Sequence, residues 1–81
     1  MSLMFEVYYG LPVDIPRESR IEELVKAYQG KLTYREAPEV DGTNYVCLTF
    51  EFDALVNAEQ ASERLRSEGE HVEAIQEYGD D

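Results

Sequence analysis

The groups in this chain that could do chemistry are few: one thiol, Cys47, one imidazole, His71, six tyrosines and a surplus of carboxylates. A nucleophilic cysteine needs its pKa pulled down by an imidazole, a cation or a helix N-terminus. Cys47 sits in the middle of YVCLTFEF, residues 45–52, among carboxylates whose field acts the other way. His71 lies in EHVEAIQEY with Glu70, Glu73 and Glu77, and His71 and Glu73 would share one face of a strand. A single histidine with scattered carboxylates is a weak ligand set beside a zinc constellation. Charges on an edge strand already have a use, which is to discourage edge pairing. There is no glycine-rich phosphate loop, no paired-histidine metal motif and no serine-centred elbow. The sequence therefore assigns no catalytic residue, no metal and no cofactor.

The elements that must position these groups follow from hydrophobic periodicity. YVCLTFEF alternates strictly: Val46, Leu48, Phe50 and Phe52 make an apolar face, and Tyr45, Cys47, Thr49 and Glu51 make the other. Residues 4–11 (MFEVYYGL) alternate likewise, with Phe5, Val7 and Tyr9 against Met4, Glu6 and Tyr8. After Gly10, Pro12 and Pro16 comes an amphipathic stripe of Ile21, Leu24, Val25 and Tyr28, with Asp14 or Ile15 at the cap and Gly30 as the left-handed terminator. KLTYREA is a further strand, with Leu32 and Tyr34 inward and Thr33 and Arg35 outward; PEVDGTN then carries turn chemistry. Asn57 with Gln60 reads as a capped helix start, Ala58, Ala61 and Leu65 as its inner face, and Gly69 as its end. Residues 70–78 complete the set as a weaker strand, with Val72 and Ala74 on one side and Ile75 on the other. The stiff loop from Leu11 to Pro16 is expected to fold its aliphatic residues back over a helix end.

The order strand–helix–strand–strand–helix–strand, with right-handed crossovers, predicts an α+β two-layer sandwich. Its expected form is the ferredoxin-like βαββαβ layout, a four-stranded antiparallel sheet in the order 4-1-3-2 with two helices on one face. One domain is expected over residues 4–78, with residues 1–3 a cloning remnant and residues 79–81 a frayed acidic tail. A chain of 81 residues has room for one core, and buries only roughly 60% of the surface its unfolded form exposes.

Eighteen acidic against seven basic residues leave a net charge of −11. That field repels phosphate backbones and anionic membranes, so nucleic-acid and membrane partners are not expected, whereas a basic partner is compatible with it. The acidity also fits solubility or an acid-rich, salt-adapted host proteome. No apolar run approaches the ~20 residues of a bilayer span. No secretory pattern opens the sequence, and a lone cysteine gives no internal disulfide. The expected setting is cytoplasmic.

With both helices on one side, the other face would present Met4, Tyr8, Tyr45, Cys47, Thr49 and Ile75 as a candidate interface. The expectation is a small acidic interaction or regulatory module without catalysis, dimerising or docking a protein partner through this face. Glu6 and Glu51 would then need Arg35 or a rim position. The competing expectation is a ligand-binding or enzymatic domain that uses Tyr8, Tyr45, Cys47 and His71.

Overall fold

The computed structural model describes residues 2–78. Its elements are β1 (Ser2–Gly10), α1 (Ile15–Ala27), β2 (Lys31–Glu36), α2 (Pro38–Asp41), β3 (Tyr45–Phe52), α3 (Leu55–Ser67), β4 (His71–Val72) and β5 (Gln76–Tyr78). β1 and β3 pair antiparallel over the whole of β3, from Leu3 opposite Phe52 to Gly10 opposite Tyr45. Side chains alternate across a strand, so this register puts Leu3, Phe5, Val7 and Tyr9 on the same face as Val46, Leu48, Phe50 and Phe52. All eight are buried. The Phe5 ring meets Phe50 edge-on at 6.1 Å and Phe52 at 5.2 Å, separations at which aromatic pairs attract beyond their burial.

α1 and α3 cover that face. Ile21 and Val25 from α1 and Ala58, Ala61 and Leu65 from α3 join the strand residues in one core cluster, with Leu24 and Tyr28 packed against its margin. The molecule is 17 Å across its shortest dimension, room for a sheet and a single layer of helices. The sheet order is β2-β3-β1-β4, and β5 also pairs with β1 beyond β4. The architecture is a mixed α+β one, an antiparallel sheet with three helices.

Several expectations need correction. The connection between β2 and β3 is not a plain turn: Pro38–Asp41 form one helical turn, closed by Gly42 in the left-handed region at φ 70°. The single fourth strand expected over residues 70–78 is two short pieces. Val7 pairs with Val72, but Met4 pairs with Gln76, so the register slips by one residue around Ala74 and Ile75. A slip also occurs in β2, where Leu32 opposes Phe50 but Tyr34 opposes Thr49, leaving Thr33 as the extra residue. Parity inverts there, so Tyr34 faces away from the helices and is 58% exposed. Arg35 sits opposite Leu48, on the helix side. Ser2 and Leu3, expected outside the domain, open β1, and Leu3 is buried in the core. α3 starts at Leu55 after Ala54, without a side-chain cap, so Asn57 lies inside the helix. Leu11, Val13 and Ile15 stay exposed and do not extend the core. The acidic tail at 79–81 lies outside the described residues.

Both long helices end in the same hydrogen-bonded motif. At α1 the Gly30 N–H donates to the Val25 carbonyl at 3.0 Å and Gln29 N–H to that of Lys26 at 2.9 Å. At α3 Glu70 N–H donates to Leu65 and Gly69 N–H to Arg66, each at 3.0 Å. The left-handed residue of the second is Gly69, but that of the first is Gln29 at φ 70°, not the expected Gly30. Gly30 is needed for another reason: a Cβ there would lie 2.6 Å from Val25 Cγ1 and against the Phe52 ring. Gln29→Gly should therefore raise the free energy of unfolding by about 1 kcal/mol, by removing a left-handed side chain. Gly30→Ala should lower it by about 1–3 kcal/mol through overpacking. Urea denaturation of the two variants checks both signs; an alanine at 30 as stable as wild type would rule out the steric account.

Candidate functional site

The face of the sheet that no helix covers carries, in register, Glu36–Cys47–Tyr8–His71 across β2, β3, β1 and β4. Beside that row stand Tyr34, Thr49 and Glu6, and then Lys31, Glu51, Met4 and Gln76. Aromatic rings run across its centre. Tyr45 and Tyr8 are 5.5 Å apart and tilted by 53°, and Tyr8 meets His71 edge-on at 6.2 Å. Each of the two tyrosines donates its hydroxyl hydrogen bond to a neighbouring carboxylate, Tyr8 to Glu6 and Tyr45 to Glu36, both at 3.2 Å.

Electrostatics and burial keep the Cys47 thiol and the Tyr8 and Tyr45 hydroxyls protonated. Cys47 is 2% exposed. Burial pushes its thiol up, and the Glu6 and Glu36 charges add to that against the hydrogen bonds from Tyr8 and Thr49. The Tyr8 hydroxyl is raised well above the usual phenol range by its interaction with Cys47, then by burial and by the Glu6 charge. Tyr45 is raised by desolvation and by Glu36. His71 Nε2 lies 2.5 Å from Glu73 Oε2, exposed and turned to the edge. No thiolate, and no base aimed at a nucleophile, is assembled here.

Of the six candidate interface residues, Met4, Tyr8, Tyr45, Cys47 and Thr49 do share this face, although Cys47 is sunk beneath its surface. Ile75 does not. The slip around Ala74 turns it to the helix side, where it packs on the core beside Ser62 and Arg66 of α3. Tyr34 and Tyr78 enter the face instead, Tyr78 opposite Ser2. A shallow hollow of about 110 Å³ lies where the fourth strand is interrupted, lined by Met4, Glu6, Thr49, Glu73 and Tyr78 among others. Glu70, considered with His71 as a metal ligand, is held instead by Arg17 through Nε and Nη2 at 2.8–3.2 Å. Among the described residues no three His, Cys, Asp or Glu groups converge as a metal site.

Sequence reasoning missed a second polar cluster on the helix side. Glu18 of α1 is buried at 8% exposure. It accepts hydrogen bonds from Tyr9 Oη at 2.5 Å and from Arg35 Nε and Nη2 at 2.6 and 3.0 Å. Arg35 also reaches Glu39 at 2.6 Å. The Arg17 guanidinium stacks over the Tyr9 ring at 4.9 Å. Glu18 precedes Ile21 by three residues and Val25 by seven, so it continues the apolar stripe; a carboxylate at that spacing was the available signal. The inward turn of Arg35 had none, because it depends on the bulge. Burial works to raise the Glu18 carboxyl, but the Arg35 and Tyr9 hydrogen bonds and the Arg35 charge outweigh it and hold the group below the ordinary carboxylate range. Arg35 is therefore turned away from the open-face carboxylates Glu6 and Glu51, so that of the two expected ways of accommodating them, Arg35 or a rim position, the first does not occur.

No protein-family model matches the chain, and no curated protein is significantly similar to it. Among solved structures it is similar to one titled "De novo designed protein Foldit4", with a TM-score of 0.59 and 16% identity over 96% of this chain and 97% of that one. At that identity the likeness concerns the fold alone.

Two measurements follow from these clusters. A carboxylate whose folded pKa is depressed stabilises the fold above its unfolded pKa, about 4.3, and that contribution is lost as pH falls through the folded value. Glu18→Gln should cost about 2 kcal/mol at neutral pH, and its stability should decline less steeply than that of wild type below pH ~4. Parallel acid limbs in urea titrations would show that the Glu18–Arg35 pair adds nothing. Separately, Cys47 in the native protein should react with iodoacetamide on the order of tenfold or more slowly than in urea. Equal rates would contradict its burial.

Proposed function

We propose that this chain is a small association module without catalytic activity, which docks a protein partner through the open face of its sheet. We read its fold as a variant of the ferredoxin-like layout, with α2 added to the hairpin and the fourth strand split by its bulge. The observation that carries the functional reading is the one-sided cover: α1 and α3 lie on one side, and Met4, Tyr8, Tyr34, Tyr45 and Thr49 stand on the other. Tyrosine brings large contact area with few rotors and a polar tip, which suits a surface that is wet when free and dry when bound.

The competing enzymatic reading draws on the Tyr45–Tyr8–His71 row. Against it stand the shallow hollow, where an active site needs an enclosing pocket with convergent polar groups, and the protonated, sunken thiol. Nucleic acid is disfavoured because Glu6 and Glu36 bond directly to the tyrosines on which bases would stack. Among the described residues no helix is long and apolar enough to cross a membrane. A reducing, cytoplasmic setting suits a free buried thiol.

The test is site-specific photo-crosslinking in extract of the source cells, with the probe at position 34 on the open face or at position 63 on α3. Discrete adducts from 34 and none from 63 are expected, a self-adduct counting as association. Adducts from neither position, or equally from both, would remove the support for this face.

A further inference from the structure

We infer that the occupant of the open face is an arginine-bearing segment of a protein partner, seated with guanidinium groups over the Tyr8 and Tyr45 rings and against Glu6 and Glu36. This rests on the association reading above and names the chemistry of the partner.

The first argument is charge. The open face holds Glu6, Glu36 and Glu51, and Glu73 sits across from Glu6, to whose carbonyl its N–H donates at 2.9 Å. Of the chain's seven cations, Arg20 and Lys26 lie on α1, on the covered side, and four arginines are engaged away from the open face. Arg17 is bound to Glu70, Arg35 to Glu18 and Glu39, and Arg64 to Glu68. Arg66 donates to the Val72 carbonyl. Among the described residues only Lys31, opposite Glu51, brings a permanent positive charge to this face. A second copy of the chain would double the carboxylate excess at a desolvated surface, which is costly without cations between the layers. A cationic partner relieves it.

The second argument is geometry. Tyr8 and Tyr45 are tilted rings 5.5 Å apart, each tied by its hydroxyl to a carboxylate. A carboxylate accepting the phenol's hydrogen bond makes each ring a better face for a cation, and the same carboxylate offers a planar acceptor to the guanidinium. Arginine fits both at once, whereas an ammonium is a compact, strongly hydrated point charge. The molecule already uses this pairing internally, with Arg17 stacked on Tyr9 while bound to Glu70.

The third argument excludes a different mode. Strand addition at a sheet edge needs an even row of free backbone groups. β2 carries a register slip between Leu32 and Tyr34, and the far side is broken between β4 and β5. Both edges are thus poor templates, and the face remains.

The experiment is amide-resolved NMR of the whole chain titrated with short peptides that alternate glycine with arginine, or glycine with lysine, at equal charge. Light scattering of the free protein runs in parallel. Arginine peptides should bind about threefold or more tightly than lysine peptides, with shifts gathered at Tyr8, Tyr45, Cys47 and Thr49. Tyr45→Leu and Glu36→Gln, each checked for a native spectrum, should weaken binding about threefold to tenfold. Glu63→Gln on α3 should not. Equal binding of the two peptides with shifts spread over α1 and α3 would mean that bulk acidity alone attracts them, and would overturn the proposal while leaving the association reading intact. A dimer that seals Tyr8 and Tyr45 would also overturn it, while supporting self-association. A free monomer with no shifts at all would count against both.

Discussion

The antiparallel register between β1 and β3 is the constraint from which the rest of this molecule follows. With Phe5 opposite Phe50 and Val7 opposite Leu48, every Leu, Val and Phe of the two central strands lands on one side. A one-residue slip would send that whole set to the other face. Two helices with narrow apolar stripes suffice to close this side, and the small Ala58 and Ala61 let α3 come close. Among the described residues no helix covers the reverse. The bare face is thus a consequence of where the core was put.

Charge is distributed to match that division. On the helix side, three carboxylates are paired with arginines: Glu18 with Arg35, Glu70 with Arg17, Glu68 with Arg64. The Glu18–Arg35 pair bridges α1 to the outer strand β2, and Tyr9 ties it to the end of β1. Such a part-buried network is satisfied only as a whole, so it fixes how the outer strand and the first helix meet. On the open side Glu6 and Glu36 instead take their hydrogen bonds from tyrosines. The deeply set carboxylates of Glu18 and Glu70 have arginine partners, and the uncovered sheet keeps its negative excess.

Irregularity is confined to the outer strands. The extra residue in β2 and the break between β4 and β5 spare the central ladder and disturb both edges. Bulged, charged edges resist sheet-to-sheet aggregation, a real hazard for a thin layer with one exposed face. The same slips decide which side chains reach the open face, admitting Tyr34 and excluding Ile75.

Much of this was legible in the residues. Strict alternation in residues 4–9 and 45–52 identified the two central strands and their buried sides, and the stripe of Ile21, Leu24, Val25 and Tyr28 identified the covering helix, because burial imposes periods that a local pattern records. That Met4, Tyr8, Tyr45, Cys47 and Thr49 share a face followed from the same parity. The facing of Tyr34, Arg35 and Ile75 was not legible, since a bulge is a bargain between two strands and leaves little trace in either one. Nor was the partnership of Glu18 with Arg35, residues seventeen apart in sequence that meet only after helix and strand have docked. Local sequence thus determined the elements and their buried sides; packing between elements decided the register slips, the ion pairs and the depth of Cys47, because those depend on distances that exist only once the layers have closed.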